Sequence, residues 1–205
     1  MKQPSQDALN LILEYEVGGG KDYYNKYLTH PTWPGGHSGL TLGIGIDCGY
    51  YTSDELGNLF SFLPAEQLNV VKNASGKVGE NGKAYVRSDE VKKANITVTW
   101  DQAVKLFDEL TWPKFARLAE RAFPSLDQLC DNAYGALVSL VFNRGTAMQG
   151  DSRLEMRNIR VLVPKRDYKG IANELRKMKR IWEGKGLDGL IARREAEAKL
   201  VETCS

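Results

Sequence analysis

Three side chains in the first quarter of the sequence, Glu16, Thr41 and Asp47, have the types and spacing that acid–base chemistry needs. Glu16 follows apolar residues at helical spacing, which puts it at the end of an apolar helix face: Leu9, Ile12 and Leu13. Burying an unpaired charge is costly, so such an acid tends to keep its proton and can act as a general acid. The competing interpretation is a helix-end carboxylate that reaches water or pairs with an arginine from a later helix.

Asp47 would be a second carboxylate, six residues after the hydroxyl of Thr41. Glycoside hydrolysis uses such a pair: one acid protonates the leaving oxygen, and the other carboxylate activates water or stabilises positive charge on the sugar. The residues that carry chemistry therefore indicate a glycosidase.

The stretch that must position Asp47 alternates apolar with small or polar residues, which predicts one continuous strand from Ser38 to Asp47. One side carries Leu40, Leu42, Ile44 and Ile46, and the other carries Thr41, Gly43, Gly45 and Asp47. We expect the two glycines to leave bare backbone against which a sugar ring can lie. The alternative is a Gly-rich edge strand or hairpin whose Thr and Asp are simply solvated.

The rest of the chain is mostly helical by pattern. Helices are predicted at Ser5 to Glu16, from Thr52, from Pro64 to about Lys72, from Thr99, at Leu129–Arg144, near 152–163 and 167–182, and from Ile191 to about Glu202. A tyrosine-rich loop is predicted after Gly20, and a loop or small hairpin at 73–86. Leu129–Arg144 is apolar almost all round, so we expect it to be the central buried helix. These elements predict a mostly helical α+β fold in a single domain of residues 1–205, with a small sheet lobe at about 17–50 packed on a helical lobe.

Composition bounds the class of protein. Hydrophobic content of 42% and charged content of 26% are typical of a soluble globular protein. The longest apolar run, Gly135 to Phe142, is too short to span a membrane, so we expect no membrane insertion. No signal-peptide hydrophobic region precedes Asp7, so we expect delivery by another route, or by a leader or fused domain outside this chain.

Charge and cysteine usage bear on partners and cofactors. The net charge is +2, but the stretch from Gly145 to Ser205 carries 14 Lys and Arg against 9 Asp and Glu. A basic segment favours an anionic polymer, either nucleic acid or cell wall, although solvated helix faces have the same composition. The cysteines are widely spaced and only two histidines are present, so we expect no metal and no cofactor: Cys48, Cys130 and Cys204. One disulfide with a free thiol and three free thiols are both compatible with this spacing.

Three separate pieces resemble the phage-type (T4-lysozyme-like) muramidases. Glu16-Val17-Gly18 followed by Thr41-Leu42-Gly43-Ile44-Gly45 looks like the family's helix ending in Glu-Gly before a Thr-Ile-Gly-x-Gly sheet. Leu137 to Gly145 is similar to the end of its central helix, and Gly186 to Glu197 resembles its last helix. The resemblance implies a lysozyme-like fold and covers roughly residues 8–50 and 135–200.

The sequence departs from the common pattern of the family, which has its catalytic Asp six residues before the Thr. Gly35 occupies that position here, and Asp47 follows the Thr instead. This order resembles pesticin-like lysozyme domains. The resemblance implies Glu16 as general acid, Asp47 as second carboxylate, and Thr41 as the residue that positions water or sugar. Substrate contacts are expected at Gly43, Gly45, Asn143 and Arg144.

The implied activity is hydrolysis of the β-1,4 bond between N-acetylmuramic acid and N-acetylglucosamine in bacterial peptidoglycan. The protein would be an endolysin or an antibacterial effector that acts in the periplasm or cell wall, with an immunity protein as a further partner of a toxin and no nucleic-acid partner. Two alternatives stay open. One is a lytic transglycosylase or chitinase-like enzyme, the former using Glu16 alone. The other is a non-catalytic lysozyme-like module that binds glycan or scaffolds an assembly.

Overall fold

A computed structural model of the protein describes residues 2–204. These residues hold twelve α-helices: α1 (Gln6–Val17), α2 (Gly20–Tyr27), α3 (Ser53–Leu59), α4 (Ala65–Lys72), α5 (Gly79–Val86), α6 (Asp89–Ala94), α7 (Trp100–Leu106), α8 (Trp112–Ala122), α9 (Asp131–Arg144), α10 (Leu154–Leu162), α11 (Tyr168–Lys177) and α12 (Asp188–Glu202). One antiparallel sheet pairs β1 (Thr41–Leu42) with β2 (Ile46–Asp47). The fold is therefore mostly helical α+β, as the sequence predicted.

The chain forms two compact units. The first contains the residues up to Gly18 and those from Leu110 onward, and the second is Gly19–Glu109. The sheet lies in the second unit, which continues well past the predicted lobe of residues 17–50 and includes α3 to α7. The boundary between the units falls within a π-helical turn, Phe107–Thr111.

Helix α9 forms the core of the first unit, as predicted. Nine consecutive residues, from Ala133 to Val141, are buried, and α1, α8 and α12 all pack against this helix. A Cβ at Gly135 would overlap the side chain of Ala8, so glycine is what lets α1 lie close to α9. This packing fixes the helix that carries Glu16.

The stretch around Asp47 is a hairpin, and the prediction of one continuous strand from Ser38 to Asp47 is wrong. Gly43 and Gly45 adopt positive φ angles of 60° and 76°, which are the conformations that a tight turn needs and that glycine adopts at little cost. The turn reverses the chain, and Thr41 pairs directly with Asp47. Alternation had placed these two side chains on one face along a strand; the hairpin places them opposite each other across two strands.

Several helix predictions are confirmed at their first residues. Ser5 caps α1 by accepting a hydrogen bond from the Ala8 amide, and Gly18 ends that helix in the left-handed conformation. Thr52 and Thr99 each form a capping box at the start of α3 and α7. The helices predicted from Pro64, near 152–163 and 167–182, and at the C-terminal end are present as α4, α10, α11 and α12.

Other local predictions are wrong because tertiary contacts decide the structure. The tyrosine-rich segment is helix α2, held by the buried Tyr24, whose hydroxyl donates to the carbonyl of Val98. The predicted loop at 73–86 contains α5, where buried Tyr85 donates to the carbonyl of Val70. The central helix starts at Asp131 and not at Leu129, because Leu129 is extended after a short 3₁₀ turn.

The cysteine pattern is settled by the fold of the first unit. A disulfide joins Cys130, the N-cap residue of α9, to Cys204 after the end of α12, with Cα atoms 6.1 Å apart. Cys48 is free and fully buried in the second unit. Within residues 2–204, no helix combines the length and the hydropathy that crossing a bilayer requires.

Candidate functional site

Glu16 lies in the last turn of α1, as the sequence predicted, but its carboxylate has a partner. Arg193 of α12 donates to Glu16 Oε1 at 2.5 Å. The Glu16 side chain is 25% exposed, whereas that of Arg193 is 3% exposed. Glu16 is therefore a partly exposed acid that forms an ion pair with a buried arginine, and not an unpaired acid in apolar surroundings.

Arg193 is held in turn by the two helices that form the core of the first unit. Its Nε and Nη2 atoms donate to the hydroxyl of Ser139, and Nη2 also donates to the Ser139 carbonyl at 3.2 Å. Glu197, one turn later on α12, accepts from Arg193 at 3.4 Å and from Ser139 at 2.6 Å. Five hydrogen bonds leave the guanidinium one orientation, so the position of Glu16 is set by buried groups.

A second arginine completes this buried cluster of charges. Arg194 is fully buried and donates to Glu197 Oε1 at 2.7 Å. Burial lowers the pKa of the Arg194 guanidinium, and the adjacent Glu197 opposes that effect. Burial also raises the pKa of Tyr15, over whose ring the Arg193 guanidinium lies at 5.7 Å. The cluster pairs two cations with the carboxylates of Glu16 and Glu197, so its net charge is zero when both are ionised.

Asp47 is fixed by backbone amides in the second unit. The amide of Gly39 donates to both carboxylate oxygens at 3.0 Å, and the amide of Gly49 donates to Oδ1 at 3.0 Å. Asp47 is also the N-cap of the 3₁₀ turn Cys48–Tyr50. Its half-buried carboxylate therefore has a set orientation, and Oδ2 receives only one of these three hydrogen bonds.

Two glycines that the sequence did not single out make this arrangement possible. A Cβ at Gly39 would lie 2.8 Å from Asp47 Oδ1, and one at Gly49 would lie 2.7 Å from the carbonyl of Lys77. Gly39 also forms an isolated β-bridge with Val78, so the segment before α5 closes around the hairpin. Any side chain at either position would displace the backbone that holds Asp47.

Thr41 is almost fully buried, at 8% exposure, directly across the hairpin from Asp47. Its hydroxyl donates to the carbonyl of Gly39 at 3.3 Å. The hydroxyl hydrogen is thus used within the hairpin, and what Thr41 can offer a water or a sugar hydroxyl is its oxygen as acceptor.

The four expected substrate contacts differ in the surface that they offer. Gly45 and Asn143 are exposed, whereas Gly43 is buried, and a Cβ there would lie 3.5 Å from that of Ala103. Arg144 is half-buried, donates to the carbonyl of Ser152 at 2.5 Å and stacks on Trp182 with its Cζ 4.8 Å from the ring centroid.

Electrostatic and metal-binding features complete the description. Burial, with repulsion from Arg153 and Arg194, lowers the pKa of Arg144 to about 10. In the part of the chain that the structure describes, no three His, Cys, Asp or Glu side chains are grouped as metal ligands would be.

The pairing of Glu16 with an arginine from a later helix, the competing interpretation of the sequence, is what the structure shows, but the sequence did not identify that arginine as Arg193. Arg193 lies in the stretch from Gly186 to Glu197, which resembles the last helix of the family. The signal available was its spacing of four residues from Glu197, which puts two opposite charges on one face of a helix. That spacing does not indicate the contact with Glu16, because Arg193 and Glu16 are 177 residues apart in the sequence and meet only in the folded protein.

Comparison with known proteins identifies the family. The model of the phage lysozyme family matches residues 67–197, more than half of the chain. Arg193 and Glu197 lie inside the matched region, whereas Glu16, Thr41 and Asp47 lie outside it. No curated protein sequence matches the chain. The chain is also similar to a crystal structure of the active form of the endolysin Lyz of phage P1, with 21% sequence identity and a TM-score of 0.48. The match covers 98% of this chain and 85% of the endolysin chain. On the family match, this chain belongs to the phage lysozyme family and is a glycoside hydrolase of bacterial peptidoglycan.

Proposed function

We propose that the protein is a muramidase that hydrolyses the β-1,4 bond between N-acetylmuramic acid and N-acetylglucosamine. Glu16 donates its proton to the glycosidic oxygen, and the bond from that oxygen to the anomeric carbon breaks. Water, oriented by Thr41, adds its oxygen to the anomeric carbon. Asp47 either takes the proton that this water loses, or stabilises the positive charge that develops on the sugar while the proton passes to solvent. Glu16 recovers its proton through solvent after product leaves.

The observation that carries this proposal is the setting of Glu16. A carboxylate in the last turn of a core helix, partly open to solvent and held by the buried Arg193, has the fixed position and the access that a general acid needs. Of the four proposed sugar contacts, Gly45 and Asn143 are exposed, whereas Gly43 is buried and Arg144 is half-buried.

Glu16→Gln tests the role of the acid. We expect this variant to lose ~10²–10⁴-fold in activity or more, because removing a general acid typically costs that much. The fold should be kept, since the amide oxygen of glutamine can still accept from Arg193. The assay is clearing of purified peptidoglycan, with a thermal melt as control for folding.

Glu14→Gln is the matched control, since Glu14 is an exposed acid on the same helix. It should clear peptidoglycan at the wild-type rate. If Glu16→Gln keeps that rate and Glu14→Gln does not, the acid has been assigned to the wrong face of α1.

One observation favours a second candidate, a lytic transglycosylase that uses Glu16 alone. The carboxylate of Asp47 already has a structural role as cap of the turn Cys48–Tyr50, so the enzyme could use a single acid. Mass spectrometry of the fragments separates the two reactions. A hydrolase leaves a reducing N-acetylmuramic acid end, and a transglycosylase leaves an anhydro end. Intact peptidoglycan after long incubation would instead indicate a binding module.

The disulfide supports action outside a reducing compartment. Cys130–Cys204 would persist in the periplasm or cell wall, where peptidoglycan lies, and disulfides are rare in the reducing cytosol. We propose that the protein works there as an endolysin or as an antibacterial effector. An immunity protein would accompany only an effector, and co-expression of the neighbouring gene product would show whether it blocks clearing.

A further inference from the structure

Tyr50 is an aromatic side chain with an unusual combination of exposure and order. At 67% exposure it is the most exposed large apolar side chain in residues 2–204. Its hydroxyl nevertheless donates to the carbonyl of His37 at 3.1 Å. The ring therefore faces solvent in one orientation, at the cost of leaving apolar surface in water.

Both ends of this hydrogen bond belong to segments that hold Asp47. Tyr50 ends the 3₁₀ turn that Asp47 caps, and His37 lies two residues before Gly39, whose amide binds both oxygens of Asp47. The orientation of the ring and the orientation of the carboxylate are thus set by the same few backbone groups.

The ring of Tyr50 differs from the rings of Tyr27 and Trp33, two aromatic side chains of its unit that also have exposed surface, in having no partner of its own. Tyr27 packs on Tyr23 with ring centroids 4.7 Å apart, and Lys83 lies 5.1 Å from the ring centroid of Trp33. For Tyr50, the described residues provide no ring or cation at stacking distance. An amphipathic ring that is held by its hydroxyl and open on its face is suited to a ligand with an apolar face.

We propose that Tyr50 is a sugar-stacking residue that binds one N-acetylhexosamine of a glycan strand beside Asp47. A pyranose ring presents a face of C–H groups that packs on an aromatic ring while its hydroxyl and acetamido groups stay hydrated. For the identity of its ligand the inference rests on the proposed function. It adds a subsite that neither Glu16 nor the hairpin glycines provide.

The test measures binding of soluble, peptide-free glycan strands of peptidoglycan by calorimetry, with the full chain carrying Glu16→Gln so that the ligand is not cut. Adding Tyr50→Ala should weaken binding about tenfold, the effect of losing one aromatic stacking contact. Tyr50→Phe keeps the ring and should weaken binding by no more than about threefold, the modest effect of one lost hydrogen bond. Tyr27→Ala, which removes an exposed tyrosine at 52% exposure, is the matched control and should bind as the parent does.

A second readout uses the chain with Glu16 intact. Tyr50→Ala should raise KM on soluble peptidoglycan about tenfold with kcat changed by less than about twofold, as expected for a contact made equally in ground and transition states. A thermal melt should show both Tyr50 variants within a few degrees of the parent, because surface substitutions cost little stability.

The outcomes separate this inference from the proposed function. Parent-like binding by the Tyr50→Ala chain, or no glycan binding by the Glu16→Gln parent, overturns the inference. Hydrolysis with a KM that does not respond to Tyr50 also overturns it and leaves the proposed function intact. Glycan binding that depends on Tyr50, together with no cleavage of peptidoglycan by the chain in which Glu16 is intact, supports the inference and removes the proposed function.

Discussion

At the scale of single residues, the two carboxylates are positioned by different means. Glu16 is held by one charged side chain from a helix far along the sequence, and Asp47 by backbone amides within ten residues. A charged partner can be exchanged during evolution or by mutation, whereas backbone amides require particular glycines. The position of Asp47 therefore depends on Gly39 and Gly49, where a Cβ would be too close to its neighbours.

Substitution of Asp47 by Asn should reduce both activity and stability. An amide cannot stabilise positive charge on the sugar or take a proton from water, so we expect activity to fall by ~10²-fold or more, nearly as far as in Glu16→Gln. Asparagine also replaces one acceptor oxygen with an NH₂ donor, which cannot accept a hydrogen bond from the amides of Gly39 and Gly49. This loss should lower the free energy of unfolding by roughly 1–3 kcal/mol. Peptidoglycan clearing and urea unfolding measure the two effects separately.

Two controls identify the cause of that loss. Thr41→Val should reduce activity less, since it removes a hydrogen-bonding group and not a charge. Asp22→Asn should have no effect, although Asp22 is the other acid between Glu16 and Asp47. Full activity in Asp47→Asn with inactivity in Asp22→Asn would refute the assignment, and full activity in both would favour a single-acid mechanism.

The sequence identifies the candidate residues of the site and the kind of partner that Glu16 has, but not which groups hold each carboxylate. The apolar spacing before Glu16 and the interval from Thr41 to Asp47 each lie within eight residues of sequence, a range over which helix and strand periodicity can be read. Arg193 reaches Glu16, and Ser139 reaches Arg193, only through the packing of α12 and α9 on α1. Local pattern contains no information about such long-range contacts.

At the scale of elements, the β-hairpin changes what its glycines do. Alternation cannot distinguish one long strand from two short strands joined by a tight turn, because the same residues are apolar in both. The positive φ angles of Gly43 and Gly45 show that these glycines serve backbone geometry first. The prediction that they leave space for a sugar stays open only for Gly45, around which a Cβ would meet no heavy atom within 4 Å.

Substitutions at Gly45 separate backbone geometry from ligand access. Gly45→Val should destabilise the second unit by roughly 1–3 kcal/mol, because a β-branched residue is strained at positive φ. Gly45→Asn should cost less stability, since asparagine tolerates the left-handed region, and yet it adds a side chain of similar size. Thermal unfolding compares their stabilities, and clearing assays of the folded variants compare their activities.

The pair of variants gives opposite results for the two roles. A stable Gly45→Asn protein with full activity would show that only backbone geometry matters at this position. A stable but inactive one would show that a ligand approaches the turn. Equal stability in Gly45→Val and the wild type would show that a positive φ at this position does not strain a β-branched residue, which contradicts the expected turn geometry.

At the scale of the whole molecule, the disulfide is the cross-link that the sequence left undecided. Three widely spaced cysteines allow several states, and which pair meets depends on where α9 begins and α12 ends. Those ends lie together in the first unit, so Cys130 and Cys204 are joined across 74 residues while Cys48 stays buried. The linked helices are those that carry Ser139 and Arg193, the groups that hold Glu16.

Removing this cross-link should lower stability without changing the chemistry. Closing a loop of this length contributes about 4 kcal/mol by restricting the unfolded chain. The double substitution Cys130→Ser and Cys204→Ser should therefore lower the melting temperature by roughly 10 °C. Serine at 130 keeps an N-cap acceptor for the Ala133 amide, so the loss reports the cross-link and not the cap. Activity at 25 °C should stay close to that of the wild type, because packing of α12 on α9 still presents Arg193.

Reduction of the wild-type protein is the matching measurement. Dithiothreitol should lower its melting temperature to that of the double variant and leave the double variant unchanged. The free thiol should not interfere, because burial raises the pKa of Cys48 to about 12 and keeps it protonated and unreactive toward thiol reagents at pH 8. If the reducing agent leaves the wild-type melting temperature where it was, the disulfide does not stabilise the fold. A thiol titration of the native protein that finds a reactive group would show that Cys48 is accessible, or that the disulfide is open.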